Sequence, residues 1–298
     1  MTTSSELERI KLLFATFGTG GVRVGIGDDA AVVDVPASAL VWTIDASVEG
    51  THFRRDWLSW EDVGWRSFMA AASDIAAMGA EPTAALSALI LPDDVDDQAL
   101  AALARGQADA ARQVGAPIVG GNLARGRETS ITTTVLGRAT RPITRAGARE
   151  GDLVLVAGPL GHAAAGLAAL VAGNMQDAHV SAWRRPQARI DAGRALASGG
   201  ASSAIDVSDG LARDAAHLAE ASGVRVVLDE QALLANGVAL GHVLHGGEDY
   251  ALLATAAAPI AGFEAIGVIA RGSGVALRGR DGRVVDVPPR GFDHFVAG

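Results

Sequence analysis

The chain has 298 residues, 49% of them hydrophobic and 20% charged, with a formal net charge of −9, an ordinary globular composition long enough for two domains. The acidic balance argues against nonspecific nucleic-acid binding, and the lack of cysteine excludes disulfides, thiolate zinc sites and cysteine nucleophiles. A single lysine, Lys11, excludes a Walker A loop, while a polar start and no run of ~20 apolar residues predict a cytoplasmic protein with no membrane span.

Residues 6–17 carry apolar side chains at Leu7, Ile10, Leu13, Phe14 and Phe17, the spacing of a short amphipathic helix. The acidic loop Gly25-Ile26-Gly27-Asp28-Asp29-Ala30 follows. Two adjacent carboxylates repel each other unless a cation or partner satisfies them, and a hard cation such as magnesium is the simplest partner. The loop formally matches the glycine pattern of a dinucleotide site, but two acids occupy it and the residues after it read as strand and turn. Leu40 to Ile44 is predicted as a strand ending at Asp45, before the turn that carries His52. Asp62 to Met78 reads as a helix whose Asp74 stands among alanines, a place an unpaired carboxylate avoids.

A strand over Ala84–Leu91, a helix over Asp96–Val114 and a short strand over Pro117–Val119 come next, the last turning at Gly120-Gly121-Asn122. Strand Ser130–Gly137 closes the first half, and Arg141–Ala148, punctuated by proline and glycine, reads as the crossing into a second α/β pattern. There, strand Leu153–Ala157 turns through Gly158-Pro159-Leu160-Gly161 into helix His162–Val171, the glycines serving either tight packing or phosphate binding. Helix Pro186–Ala197 precedes strand Ala204–Val207, whose Asp206 and Asp209 flank Val207-Ser208, and then come helix Leu211–Ala221 and strand Val224–Leu228. Glu248 and Asp249 stand after paired glycines, ahead of strand Ala251–Ala254, while His242 and His245 lack a third ligand and read as structural. The C-terminal part predicts two or three strands with a hairpin turn at Arg280-Asp281-Gly282, and a tail whose Phe292 and Phe295 are candidates for stacking on a substrate.

The ordered set Gly-Ile-Gly-Asp-Asp-Ala, Thr-Ile-Asp, Glu-Gly-Thr-His-Phe, Ser-Asp-Ile-Ala-Ala-Met-Gly, Gly-Gly-Asn, Ile-Asp-Val-Ser-Asp-Gly, Gly-Gly-Glu-Asp-Tyr and Gly-Phe-Asp-His-Phe resembles the thiamine-monophosphate kinases. These belong with aminoimidazole ribonucleotide synthetase, selenophosphate synthetase and a hydrogenase maturation factor. The resemblance implies an α/β (α+β) two-domain fold: an N-terminal domain, residues 1–140, with a mixed sheet that binds ATP and magnesium and pairs across a homodimer, and a C-terminal α/β domain, residues 141–298. It implies ATP as co-substrate, several magnesium ions, and phosphorylation of thiamine monophosphate to thiamine diphosphate. Its metal ligands fall on Asp29, Thr43, Asp45, Asp74, Asn122, Asp206 and Asp209, with Asp29, Asp74, Asp206 and Asp209 as catalytic residues. Gly121, Arg145 and Ser208 match nucleotide contacts, and His52, Glu248 and Phe292 match contacts to thiamine monophosphate. Asn122 stands where the family has aspartate, which keeps open a binding protein that has lost turnover; an aminoimidazole ribonucleotide synthetase-like enzyme is the other alternative.

Overall fold

The structure, a computed structural model, describes residues 39–235 and 237–292 together with Leu12, Ala15 and Thr16. The acidic loop with Asp29, and Phe295 of the tail, lie outside the described residues. The chain divides into two compact units, Met1–Ile75 with Glu81–Thr140, and Ala76–Ala80 with Arg141–Gly298.

The N-terminal unit is built on strands β1 (Ala39–Val48), β2 (Glu81–Leu91), β3 (Ile118–Arg125) and β4 (Ser130–Ala139), ordered β1-β4-β2-β3. The β1–β4 and β4–β2 pairs are antiparallel, and β2–β3 is parallel. Strict alternation along β4 buries Ile131, Thr133, Val135 and Ala139 on one face, as a half-covered sheet requires. Helices α1 (Trp60–Ala77) and α2 (Asp97–Val114) accompany this sheet, and fully buried Gln107 on α2 donates to Ser87 on β2 at 2.9 Å. Asp96 caps α2 by accepting from the Ala99 amide at 2.8 Å, and Gly115 stops it in the left-handed conformation. The two helices cross where both lack a side chain. A Cβ on Gly64 would lie 2.0 Å from the Leu103 carbonyl oxygen, and one on Gly106 would lie 1.9 Å from that of Glu61.

Gly120-Gly121-Asn122, predicted as a turn, lies inside β3. The glycines serve close backbone approach instead, since a Cβ on Gly121 would sit 1.8 Å from the Ser87 carbonyl oxygen.

The C-terminal unit is a seven-stranded sheet ordered β11-β10-β7-β9-β5-β8-β6, with strands β5 (Leu153–Ala157), β6 (Ser203–Val207), β7 (Arg225–Asp229), β8 (Ala251–Ala256), β9 (Glu264–Ala270), β10 (Gly274–Arg278) and β11 (Val284–Val287). Only β7–β10 is parallel; the other pairs are antiparallel. Every residue of β6 and β8 is buried, so their apolar residues do not alternate with exposed polar ones, and the polar groups they carry, Ser203, Asp206 and Thr255, are buried too. Helices α3 (His162–Val171), α4 (Val180–Arg184), α5 (Ile190–Gly199), α6 (Leu211–Ser222), α7 (Glu230–Leu234) and α8 (Leu240–His245) join them. The apolar stripe of α6, through Leu211, Ala215 and Leu218, enters a core with Val207, Val226, Leu253 and Val275. The short helices α4, α7 and α8 escape periodicity because about one turn contains too few repeats to detect. The expected hairpin turn is present: β10 and β11 pair antiparallel around it, and the Gly282 amide donates to the Gly279 carbonyl at 2.9 Å.

Among the described residues no helix is long and apolar enough to cross a membrane.

Candidate active site

In the N-terminal unit, β1 carries Thr43 and Asp45 on the same side as buried Val41 and Ser47, so both face the covered side of the sheet. Thr43 Oγ1 donates to Asp74 Oδ2 at 2.5 Å, joining strand and helix through the carboxylate that the alanine-rich sequence singles out. His52 is set by a local turn. Its Nδ1 accepts from the Val48 amide at 3.0 Å, its own amide donates back to the Val48 carbonyl at 2.8 Å, and Gly50 supplies the positive φ of 82°. That bond assigns the proton of a neutral His52 ring to Nε2.

Asn122 is placed differently. Asp45 pairs with Thr133, which pairs with Ser87, whose partner on β3 is Gly121; Asn122 is therefore in register with Ala88, Thr132 and Ala46 on the opposite face. That face is the one on which Trp42 and Ile44 stand, each 69% exposed.

In the C-terminal unit the carboxyl end of β6 gathers most of the predicted residues. Asp206 is buried on the strand, and Ser208 and Asp209 follow it. The Ser208 carbonyl accepts from the Glu248 amide at 2.7 Å, and the Val207 carbonyl accepts from the Tyr250 amide at 2.9 Å, so the Gly246–Tyr250 loop is stitched along the strand end. Gly247 is required there, because a Cβ would lie 2.4 Å from the Ser208 carbonyl oxygen. The Asp209 carbonyl accepts from the Phe292 amide at 3.1 Å, and Arg213 binds the Phe292 carbonyl while approaching the Asp209 carboxylate at 3.5 Å. Ser208, Asp209, Glu248 and Phe292, scattered in sequence, thus form one neighbourhood, with Phe292 as a whole 45% exposed. Arg145 does not join it. Its carbonyl accepts from Ser222 at the C-terminal end of α6, about 18 Å along that helix from the Ser208 end.

Two acids that the sequence reading did not assign to the site complete it. Asp214, in the first turn of α6, is 2% exposed and accepts from the amides of Asp209 and Gly210 at 3.1 and 3.0 Å. Burial, reinforced by the negative charges of Asp206 and Asp209, pushes its pKa up to about 8. The available signal was a third aspartate, following Asp206 and Asp209, entering a helix. Asp249 reaches across to the start of α3, accepting from the Gly161 amide at 2.5 Å and the Ala163 amide at 3.0 Å. Burial raises it to about 6 despite those two donors. The glycine turn before α3 therefore delivers its amides to a carboxylate of the protein itself. Glu248 and Tyr250, on either side of Asp249, hold φ of 67° and 48°, the two positive-φ residues other than glycine among the described residues. Such strain persists only where surrounding contacts over-determine it, and it is characteristic of functional loops.

Among the described residues no three histidine or acidic side chains are gathered into a set that by itself would hold a metal ion.

A family model for AIR synthase related protein, N-terminal domain, matches residues 27–139, and one for AIR synthase related protein, C-terminal domain, matches residues 149–272. The chain is 39% identical over 268 residues to the thiamine-monophosphate kinase of Mycobacterium tuberculosis H37Rv, covering 84% of this chain and 80% of that protein. The solved structure of the thiamine-monophosphate kinase from Stenotrophomonas maltophilia K279a matches with a TM-score of 0.80 at 31% identity, over 93% of this chain and 95% of that one. That of AaThiL complexed with AMPPCP and TMP matches with a TM-score of 0.80 at 32% identity, over 99% and 100%.

Proposed function

Because this chain belongs to the thiamine-monophosphate kinases of the AIR synthase related family, we propose that it transfers the γ-phosphoryl group of ATP to the phosphate of thiamine monophosphate. The bond from the γ-phosphorus to the bridging oxygen of ADP breaks, and one to an acceptor phosphate oxygen forms, giving thiamine diphosphate. The acceptor oxygen is already ionised near neutral pH, so neither a covalent enzyme intermediate nor a strong general base is needed; positioning and charge compensation carry the rate. The observation that carries this reading is the convergence of Asp206, Ser208, Asp209, Glu248 and Phe292 at one strand end. Such a place offers a nucleotide hydroxyl contact, carboxylates for a cation, an anionic partner for a cationic heterocycle and a ring to stack on it.

Magnesium fits the donor chemistry, which is carboxylate, hydroxyl and amide oxygen throughout. The residues proposed to hold magnesium ions are, within the N-terminal unit, Asp29, Thr43, Asp45 and Asp74 and, within the C-terminal unit, Asp206 and Asp209. Asn122, in register on the other face of its sheet, is proposed to serve a cation other than the one at Thr43 and Asp74. When bound, magnesium supplies the positive charge that offsets repulsion between donor and acceptor phosphates. Asp29, Asp74, Asp206 and Asp209 are the proposed catalytic carboxylates. Gly121 and Ser208 are proposed nucleotide contacts, Arg145 one to a different part of the nucleotide, and His52, Glu248 and Phe292 contacts to thiamine monophosphate. The protein is proposed to act in the cytoplasm as a homodimer.

The test is incubation with ATP, magnesium and thiamine monophosphate, following ADP and thiamine diphosphate together. Equal amounts of both are expected, and none of either with excess EDTA. A second reading, a thiamine-phosphate-binding protein without turnover, is favoured by Asn122 alone; nucleotide binding with no ADP at saturating magnesium would establish it.

A further inference from the structure

The mechanism assigns Glu248 to the substrate but leaves unexplained how a glutamate on a strained loop is held in one orientation. The answer lies in a helix the sequence did not reveal. The indole Nε1–H of Trp183, on α4, donates to a carboxylate oxygen of Glu248 from 65 residues away, and Trp183 itself is 2% exposed. A buried indole has few rotamers and one donor, so its bond fixes the carboxylate in direction as well as in place.

Helix α4 is in turn fixed to α3. A Cβ on Gly166 of α3 would lie 2.3 Å from the His179 carbonyl oxygen, so backbone rests on backbone there. The rings of His162 on α3 and His179 at the start of α4 meet edge-on, with their Nδ1 atoms 3.1 Å apart. The start of α3 is held by Asp249 through the Gly161 and Ala163 amides. The contacts close on themselves: Asp249 fixes α3, α3 fixes α4, and α4 presents Trp183 to Glu248, the neighbour of Asp249. Glu248 and Asp249 are thereby pinned on opposite sides of one loop by one helix pair, and this accounts for a positive φ at a non-glycine residue.

We infer that Trp183 is a positioning residue for thiamine monophosphate, setting the carboxylate of Glu248 toward the substrate's heterocycle and so governing affinity for that substrate and not for ATP. The inference rests on the reading of Glu248 as a substrate contact. Trp183→Phe keeps an aromatic ring and removes the donor. It is expected to raise KM for thiamine monophosphate about tenfold, with kcat and KM for ATP within about twofold of the parent and a lowered but still cooperative thermal transition, since the smaller ring leaves buried space. Glu248→Gln is expected to raise the same KM at least as much, and the double variant is expected to be no worse than Glu248→Gln alone, because the two residues act through one contact. If Phe at 183 prevents folding, benzothienylalanine at that position retains the bicyclic shape without the N–H and provides the same reading. A normal KM without the donor, where Glu248→Gln raises it, overturns the role of Trp183 and leaves that of Glu248 intact. A normal KM in Glu248→Gln overturns both. Additive losses in the double variant overturn the coupling, as does an equal rise in the KM for ATP.

Discussion

Asp74 shows how one residue ties sequence, packing and chemistry together. Its helix is otherwise small and apolar, with Ala71, Ala72 and Ile75 fully buried, and its carboxylate is engaged by the Thr43 hydroxyl at 2.5 Å. Asp74→Asn keeps an oxygen for that hydroxyl while removing the charge. We expect kcat to fall by about 10²-fold or more, consistent with about 3 kcal/mol of lost electrostatic stabilisation, with the melting curve preserved. Wild-type turnover with an unaltered magnesium dependence would make Asp74 structural. Asp249 gives a pH prediction. Its folded pKa is raised from 3.8 to about 6 by burial, so the folded protein holds a proton there that the unfolded chain has already released. Stability from this group is therefore full below pH ~4 and is lost as pH rises through ~6. Asp249→Asn does not titrate. The melting temperature of the parent relative to this variant should decline between pH 4 and 6 and level off above 7; thermal melts across that range check the sign, and a relative gain with pH would contradict it.

At the scale of elements, the helix pair of the N-terminal unit depends on two glycines that no functional motif contains. Gly64 and Gly106 allow α1 and α2 to meet backbone to backbone, and each would place a Cβ within 2.0 Å of the other helix's carbonyl oxygen. A methyl group cannot be accommodated by a rotamer change, because the obstacle is main chain. Gly106→Ala should improve intrinsic helix propensity by about 1 kcal/mol, yet overpacking at the crossing is expected to win, giving net destabilisation of about 2 kcal/mol. Urea unfolding measures it; a variant as stable as the parent would mean that the helices separate at no cost. The Gly246–Tyr250 loop is the opposite case, an element fixed mainly by what lies far from it in sequence: Ser208, Trp183 and the start of α3.

For the whole molecule, the uncovered face of the N-terminal sheet is the feature that an isolated copy explains least. Leu40, Trp42 and Ile44 are 52%, 69% and 69% exposed on one strand, and Ile90 on β2 adds to the same face. Contiguous large apolar side chains of this kind mark interaction surfaces. If the proposed homodimer uses this face, Trp42→Glu combined with Ile44→Asp should give a monomer by sedimentation, with thiamine-phosphate kinase activity lost or strongly reduced. A dimer that survives both charges would move the interface elsewhere.

Local chemistry made much of this protein legible from its residues. Asp96 and Gly115 bound α2 because a cap satisfies its own helix end, and the turn at Arg280-Asp281-Gly282 follows from the conformations those residues favour. Ser130–Gly137 reads as a strand and is one, running two residues further to Ala139, and the ordered acidic motifs carried the family and named the candidate residues. Tertiary structure alone decided which residues meet. That Gly120-Gly121 sits within a strand, that Asn122 faces away from Asp45, and that Asp214 and Trp183 belong with Asp206 and Glu248 all depend on strand register and helix crossings between distant segments. No local propensity encodes such pairings, because the energy that selects them comes from burying surfaces that are brought together only when the sheet closes.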